Sequence, residues 1–442
     1  MNNSMRTQTR AEAGGRSTVT RHPRARRALR LALVAGASFA AAACSDFLKV
    51  PDPVNLTPED LAGGAPVSLT VNGVRGAFQS MFDYYVLHTS LITDEMVTAG
   101  TFPYRAEMDA RAIASNNDGL RTDLYVPLST ARFMADTAAA ILTDAQGAEG
   151  VDEAERLAGI ASAKFYGAYT RTLLAEAFCK SAINGGPGLT SDERMQDALA
   201  AYQDAGAAAQ AAGDVNLVAA SKLGEARAQL WLRDFPAAAA AASQVPASLS
   251  LKSYYSGASV AQKSKVVRFT YGIDEAIRWT IGDGSLAFTG HEKWPYFEEW
   301  EQLGLLEISP ERDSFNPAVP VVVQTKYVSP DAAITISSGA EAELIVAEAK
   351  LRAADPSGAA AIVNQLRNDN WGLPAISFSG NLAQDLPIMA RERARELWLT
   401  GERIATLRRY LADDVNLWPG DKQGTDTCFP VPQLELDTNK NF

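Results

Sequence analysis

The residue types best suited to binding chemistry are aromatic side chains in the second half of the chain. Trp294, Tyr296 and Trp300 lie within seven residues, Trp279 precedes them, and glutamates are interspersed at positions 298, 299 and 301. Flat aromatic faces stack on the C–H faces of sugars, and neighbouring carboxylates accept hydrogen bonds from sugar hydroxyl groups. The composition of this segment therefore predicts a carbohydrate platform.

A second interpretation of the same segment remains open. Phe288 and His291 lead into the run, and Trp294, Phe297 and Trp300 follow at intervals of three residues. That spacing places the last three rings on one face of a helix, where they would fill the core beneath an irregular segment. Tyr296 would then face away from the buried stripe and would be the better candidate for ligand contact.

Metal and enzyme chemistry have little support in the sequence. Histidine occurs only at positions 22, 88 and 291 and cysteine only at 44, 179 and 428, and neither has the spacing of a zinc or iron–sulfur site. There is no serine-nucleophile elbow, phosphate-binding loop or His-Glu-x-x-His motif, and adjacent glutamates on a helix point in different directions. We expect no catalytic residue, no metal and no cofactor, and no calcium-binding loop can be assigned.

The distribution of charge restricts the class of partner. The 442 residues carry a formal net charge of −11, but residues 1–43 contain eight Arg and one Glu, so residues 44–442 carry −18. An acidic body repels phosphate backbones, which argues against nucleic acid as a partner. Net charge alone favours neutral or cationic solutes.

The N-terminus has the organisation of a bacterial export signal. A basic segment at 21–30 precedes thirteen apolar residues at 31–43, which are too few to span a bilayer but suit a signal peptide. Cys44 follows small residues, as in a lipobox, in which the cysteine becomes the lipid-modified first residue. We predict a signal peptide over 1–43 and a lipid-anchored tether over 44–57. Cleavage before an unmodified Cys44 is the alternative.

The two remaining cysteines are predicted to pair. Export places Cys179 and Cys428 in an oxidising compartment, where free thiols tend to join. Such a bridge would tie the middle of the chain to its end, and two separate buried thiols are the alternative.

The body of the chain has mostly helical periodicity. Apolar residues recur at i, i+3, i+4 and i+7 from residue 58 to about 245, and two alanine-rich segments, 223–246 and 340–367, resemble tetratricopeptide helix pairs. Residues 247–335 are richer in Gly, Pro and aromatics, with short β-like runs such as VVRFTYGI, AIRWTI and AAITIS. We predict a mostly α fold, a tetratricopeptide-like helical-repeat frame with an irregular, partly β central insertion.

The C-terminal segment carries the most specific pattern. Residues 388–410 read IMARERARELWLTGERIATLRRY, and residues 429–442 read FPVPQLELDTNKNF. Charged residues leading into Glu-Leu, then Gly-Glu-Arg and Leu-Arg-Arg, resemble the signature helix of the SusD/RagB family, and the closing segment resembles that family's last element. Three further segments, residues 75–82, 90–96 and 343–368, resemble other elements of that family, and they follow one another along the chain in the same order as in the family.

The resemblance implies a single SusD-like helical domain over 58–442, with residues 388–442 as its C-terminal signature. It also implies a lipoprotein on the outer membrane, facing the cell exterior, that captures a nutrient for a SusC-like TonB-dependent transporter. The nutrient would be an oligosaccharide or another small molecule such as a peptide. Departures from the family pattern, including Phe78 and Trp398, leave its identity open.

The resemblance also implies where the nutrient binds. Glycan-binding members place aromatics on loops above the helical frame, one loop after an early Asp-Glu element and another in the central irregular region. The corresponding residues in this sequence are Phe102, Tyr104 and Arg105, and then Trp294, Tyr296 and Trp300. The charged residues of the signature helix are expected to hold the fold. A tetratricopeptide-type lipoprotein scaffold for envelope assembly, with no solute site, is the rival interpretation.

Overall fold

A computed structural model describes residues 66–273, 276–283, 293–309, 314, 316–420 and 422–442. All of these belong to one compact unit, Thr57–Phe442. The predicted signal peptide and the whole of the predicted tether, including Cys44, lie outside the described residues, as do Phe288 and His291. No helix in the described part of the chain is both long and apolar enough to cross a membrane.

The first half of the unit is built from successive helices that pack on one another. They are α1 (Val67–Ile92), α2 (Pro103–Asp109), a π-helical turn (Leu120–Tyr125), α3 (Val126–Asp144), α4 (Glu153–Ala177), α5 (Ser191–Ala212), α6 (Val215–Trp231) and α7 (Phe235–Ala242). Neighbours α3 and α4, α4 and α5, α5 and α6, and α6 and α7 are in contact, which is the arrangement of helical repeats.

Side-chain caps fix where several of these helices begin. The Thr190 hydroxyl accepts a hydrogen bond from Glu193 N, and the Glu193 carboxylate accepts one from Thr190 N, so a capping box opens α5. Helices α4, α6 and α7 begin with aspartate caps: the carboxylates of Asp152, Asp214 and Asp234 accept hydrogen bonds from backbone N–H groups in the first turn.

Close helix packing depends on small residues in the first predicted repeat. The Tyr202 ring from α5 lies so near the backbone of α6 that a Cβ on Gly224 would overlap with it. Tyr202 is fully buried at this contact. Gly224, in the first of the two tetratricopeptide-like segments, therefore lets two helices approach.

The central region contains short strands and helices on this frame. Its helices are α8 (Lys265–Thr270) and α9 (Phe297–Gln302). Together with three strands from the first half, the described strands are β1 (Val97–Thr98), β2 (Lys180–Ser181), β3 (Leu189–Thr190), β4 (Ser250–Ser253), β5 (Trp279–Thr280), β6 (Leu306–Ile308), β7 (Val322–Gln324) and β8 (Ile334–Ser338). They form antiparallel pairs β1–β5, β2–β3, β4–β8 and β6–β7.

One predicted strand is wrong. The run VVRFTYGI begins inside helix α8, although its β-branched residues favour a strand. The helix has a long-range cap: the Asp83 carboxylate accepts hydrogen bonds from Lys265 N and Val266 N, and Ser264 Oγ accepts one from Val267 N. Tertiary contacts thus override the local propensity.

The C-terminal part returns to helices: α10 (Gly339–Arg352), α11 (Pro356–Trp371), α12 (Leu382–Glu396), α13 (Arg403–Leu411) and α14 (Gln433–Thr438). Helices α10 and α11 form the second predicted helix pair, with Asp355 capping α11 through Gly358 N. The mostly helical architecture expected from the sequence, with a partly β central region, is confirmed.

Charged residues of the signature segment form buried ion pairs, mostly with distant parts of the chain. Arg403 donates to both carboxylate oxygens of Asp94, at 2.8 and 2.7 Å, and Glu95 accepts a hydrogen bond from Leu399 N at 3.0 Å. Arg409 pairs with Glu348 at 2.6 Å. The early Asp-Glu element and the signature therefore bind each other, and the expected structural role of the signature rests on long-range pairs more than on neighbours within one helix.

A disulfide joins Cys179 and Cys428 across 249 residues of sequence. Backbone hydrogen bonds flank it, from Cys179 N to the carbonyl of Phe429 and from Phe429 N to the carbonyl of Ala177. The end of the chain is thereby fastened to the C-terminus of α4.

Candidate functional site

Strand pairing brings two distant loops together at one end of the frame. In the β1–β5 pair, Val97 lies opposite Thr280 and Thr98 lies opposite Trp279. The loop that follows β1 leads through Phe102 into α2, so its aromatic residues lie beside Trp279. One of the predicted aromatic loops therefore meets the central region, at β5 and not at the Trp294 run.

The Arg105 side chain is the centre of this cluster. Its guanidinium lies over three rings, 4.7 Å from the centroid of Phe102, 5.1 Å from Tyr104 and 4.2 Å from Trp279. The guanidinium of Arg278 lies over the outer ring, Phe102, at 5.7 Å. We call these five residues the Arg105 cluster, a stack of alternating aromatic and cationic groups.

The side chains of Asp123 and His88 lie next to the cluster and contact Tyr104 or each other. Tyr104 donates a hydrogen bond from its hydroxyl to Asp123 at 3.3 Å, and Nε2 of His88 lies 3.4 Å from the same carboxylate oxygen. Burial lowers the pKa of His88 below its ordinary 6.5, against the opposing effect of Asp123, so the imidazole is neutral. Burial and the Asp123 charge raise the pKa of Tyr104 to about 12, which keeps its hydroxyl protonated.

Two glycines lie against side chains of the cluster, Gly119 against Tyr104 and Gly100 near Arg105. A Cβ on Gly119 would overlap with the Tyr104 ring, so the ring lies directly against backbone. A Cβ on Gly100 would lie 3.6 Å from Nη1 of Arg105 and 3.6 Å from Oγ1 of Thr98. Backbone without side chains therefore borders both the phenol and the guanidinium.

Exposure separates the surface of the cluster from its base. Phe102 is 38% exposed, and Tyr104 is half-buried, whereas Trp279 is completely buried and Arg105 is only 3% exposed. Tyr84 is half-buried next to the cluster, stacked on His88 with centroids 5.9 Å apart. The arrangement offers aromatic faces and a phenol to a solute, with a cation beneath them.

The Trp294 run occupies a different place. Trp294 and Trp300 are 1% and 0% exposed, and their rings pack edge to face at 5.7 Å. Trp300 also packs against Trp398 of the signature segment at 6.2 Å. Burial of both tryptophans, and of Trp279, favours the core-filling interpretation for these three candidates.

Tyr296 is the member of that run that keeps some exposure. It stacks on Trp300 with centroids 5.3 Å apart and lies 5.7 Å from the guanidinium of Arg403. It immediately precedes α9, whereas Phe297 and Trp300 face inward from that helix. Tyr296 is therefore the better candidate of the run, as the helical interpretation implies.

One member of the Arg105 cluster and three residues that surround it were not evident from the sequence. Arg278 was part of a predicted strand with no assigned role. Tyr84, His88 and Asp123 lie in or next to long helices, where they are indistinguishable from core residues. The stacking of Tyr84 on His88 at i, i+4 is the one signal that a helical projection could have supplied.

Other features of the described surface have different chemistry. A largely apolar groove of about 390 Å³ lies between α7 and α10, bordered by Phe235, Pro236 and Ala349. Another, of about 310 Å³, lies along α3 and the C-terminal segment, bordered by Phe133 and Leu434. No group of three or more potential metal ligands occurs among the residues that the structure describes.

Comparison with known proteins agrees with this architecture. Residues 339–441 match the model of the SusD family. A SusD superfamily protein from Bacteroides thetaiotaomicron superposes with a TM-score of 0.64 at 13% identity, covering 87% of this chain and 99% of that one. A SusD superfamily protein from Bacteroides fragilis gives 0.63 at 14% identity, with 88% and 99% coverage.

A further solved structure from Bacteroides fragilis is described as a SusD-like carbohydrate binding protein. It gives a TM-score of 0.63 at 12% identity, covering 84% of this chain and 98% of that one. At such identities the likeness establishes the fold, while the family match covers the segment that contains the signature. No curated protein matches the sequence.

Proposed function

We propose, from the premise that the chain is a member of the SusD/RagB family, that it binds an oligosaccharide through the Arg105 cluster. Solved relatives with the same fold include SusD-like carbohydrate binding proteins. The observation that carries the proposal is the exposed ring of Phe102 beside the half-buried phenol of Tyr104. They lie at the start of α2, directly after the loop that follows the β1–β5 pair. Aromatic faces and a hydroxyl group are the surface that sugar rings recognise.

The structure of the support favours binding by a preformed surface. The Tyr104 hydroxyl is oriented by Asp123, and its ring lies against the backbone at Gly119. Trp279 donates from Nε1 to the carbonyl of Leu87 at 3.1 Å, which fixes the buried base of the stack to α1. A surface held in this way loses little conformational entropy when a solute binds.

The wider role proposed is capture and transfer. Lipid on Cys44 would anchor the chain to the outer membrane, facing the cell exterior, and a SusC-like TonB-dependent transporter would receive the oligosaccharide. The match of residues 339–441 to the SusD family model and the predicted export signal at residues 1–43 support this role. Purification of the protein from its native envelope should recover such a barrel in near-equal amount. Recovery of envelope-assembly factors without a barrel would favour the scaffold alternative.

Binding is tested by titrating a panel of purified neutral and acidic oligosaccharides into the protein. Phe102→Ala should weaken binding about tenfold, equivalent to about 1.4 kcal/mol, because a stacking face is lost. Phe133→Ala is the matched control, since Phe133 is a 50% exposed phenylalanine on α3. Equal affinities for the two variants would place the sugar elsewhere.

A further inference from the structure

The guanidinium of Arg105 is buried without an anionic partner. Its side chain makes no ion pair among the described residues, and its Nε and Nη1 atoms have no hydrogen-bond acceptor there. The residue is only 3% exposed, so water does not replace the missing acceptors over most of the group. A buried N–H group without an acceptor is unfavourable, and more so when the group is charged.

Asp123, the carboxylate whose charge acts on Arg105, already has other partners. One oxygen of Asp123 accepts from the Tyr104 hydroxyl and contacts His88, and the other accepts from Thr122 at 3.2 Å. Although burial raises its pKa, the contacts with His88 and Thr122 bring the net pKa below 3.8, so the carboxylate is ionised but does not bond to Arg105. The faces of Phe102, Tyr104 and Trp279 offset part of the cost of the buried charge, but a ring face accepts no in-plane N–H group.

The guanidinium lies just under the surface of the proposed site. Phe102, which covers one side of it at 4.7 Å, is the exposed ring of the cluster. Exposed side chains move within picoseconds to nanoseconds, so a small movement of this ring would open a path to the guanidinium while its outer face still stacks on the sugar. On the side of Nη1, Gly100 presents backbone only, with no side chain to compete for the space.

We infer that the oligosaccharide bound at the Arg105 cluster carries an anionic substituent, a carboxylate or a sulfate, which bonds to the guanidinium of Arg105. The inference rests on the proposed function, because it assigns the class of sugar bound at the same site. Arginine presents N–H groups in a planar fork that matches two oxygens of such an anion. The attraction between Arg105 and the anion acts only at this site. The chain after residue 43 is acidic overall, with a net charge of −18, and this charge by itself would favour neutral or cationic solutes.

The first test compares three probes of equal length: an oligogalacturonate, the same oligomer with methyl-esterified carboxylates, and a sulfated neutral oligosaccharide. We expect the oligogalacturonate or the sulfated probe to bind about tenfold or more tightly than the methyl ester, with affinity falling as salt rises. Preference for the carboxylate or for the sulfate identifies which anion is bound. Equal or tighter binding of the uncharged ester overturns the inference.

Variants of Arg105 separate the inference from the proposed function. Arg105→Gln should lose the preference for the anionic probe, and Arg105→Lys should recover only part of it, because lysine keeps the charge but lacks the fork. Arg121→Gln is the matched control, as Arg121 is a 45% exposed arginine on the neighbouring π-helical turn. Thermal melting of each variant confirms that it is folded.

The outcomes are distinguishable. If Phe102→Ala weakens binding and Arg105→Gln leaves the anion preference intact, the site binds sugar but the inference about its charge is wrong. If neither Phe102→Ala nor Arg105→Gln alters the binding of any probe, the proposed function at this cluster fails as well. Loss of the anion preference in Arg105→Gln, with binding of the ester retained, supports both the proposed function and the inference that the bound sugar is anionic.

Discussion

The buried pair between Arg403 and Asp94 provides a quantitative test of the structural role of the signature. Arg403 donates to both oxygens of the Asp94 carboxylate, and the two side chains are 3% and 4% exposed. Replacement by Arg403→Met leaves a buried carboxylate without its partner. Removing one member of a buried pair costs about 3–5 kcal/mol, so the free energy of unfolding should fall by about that amount.

The assay is urea denaturation followed by circular dichroism, in a double-mutant cycle. Asp94→Asn should cost a similar amount, whereas the variant that carries both substitutions should cost less than their sum by about 1–3 kcal/mol, because no unpaired charge remains. Arg391→Met is the control. Arg391 is 35% exposed and lies 3.5 Å from Glu392 and 3.9 Å from Glu299, and Glu392 keeps Arg367 and Arg395 as partners, so the loss of Arg391 should cost less than about 1 kcal/mol. Additive single effects, or a cost below about 1 kcal/mol for Arg403→Met, would refute the reasoning.

Three further predictions follow from individual contacts. Gly224→Ala should lower the free energy of unfolding by about 1–3 kcal/mol, because the added Cβ would overlap with the buried Tyr202 ring. Gly206→Ala on α5 is the control and should be neutral or stabilising, since the atom nearest to its added Cβ would be 3.5 Å away. Denaturant midpoints compare the two variants. Burial raises the pKa of Glu95 from 4.5 to about 7, so folding takes up a proton between about pH 5 and 7, and stability should rise as the pH falls through that range. Glu95→Gln should flatten the dependence of melting temperature on pH in the same range. An unchanged slope would contradict the raised pKa of Glu95. Replacing Cys179 and Cys428 with serine should cost about 2–5 kcal/mol, since the disulfide closes a loop of 249 residues; an unchanged denaturant midpoint would show that the bridge does not form.

The helical frame could be predicted because its determinants are local. The capping box at Thr190 and the turn acid Asp234 each act within a few residues of the position they control. The run from Val266 was assigned to a strand because its helix depends on Asp83, which is 182 residues from Lys265 in sequence. Propensity within a window does not include a cap of that kind.

The candidate site was only partly predictable for a related reason. A dense aromatic run indicates large side chains but not which of them face solvent, and Trp294 and Trp300 proved to be buried against the frame. Phe102 and Tyr104 were identified through family resemblance, whereas their contact with Trp279 depends on the β1–β5 pair, which joins residues far apart in sequence. The absence of an acceptor for Arg105 is a property of packing that no sequence pattern records.

The most direct test of the central claim is a crystal structure or a calorimetric titration of the protein with a tightly bound oligosaccharide from the panel. The account predicts a sugar ring stacked on Phe102, with its hydroxyl groups near Tyr104, and an affinity that falls about tenfold in Phe102→Ala but not in Phe133→Ala. A sugar bound elsewhere on the molecule, with Phe102 and Tyr104 free, would contradict it.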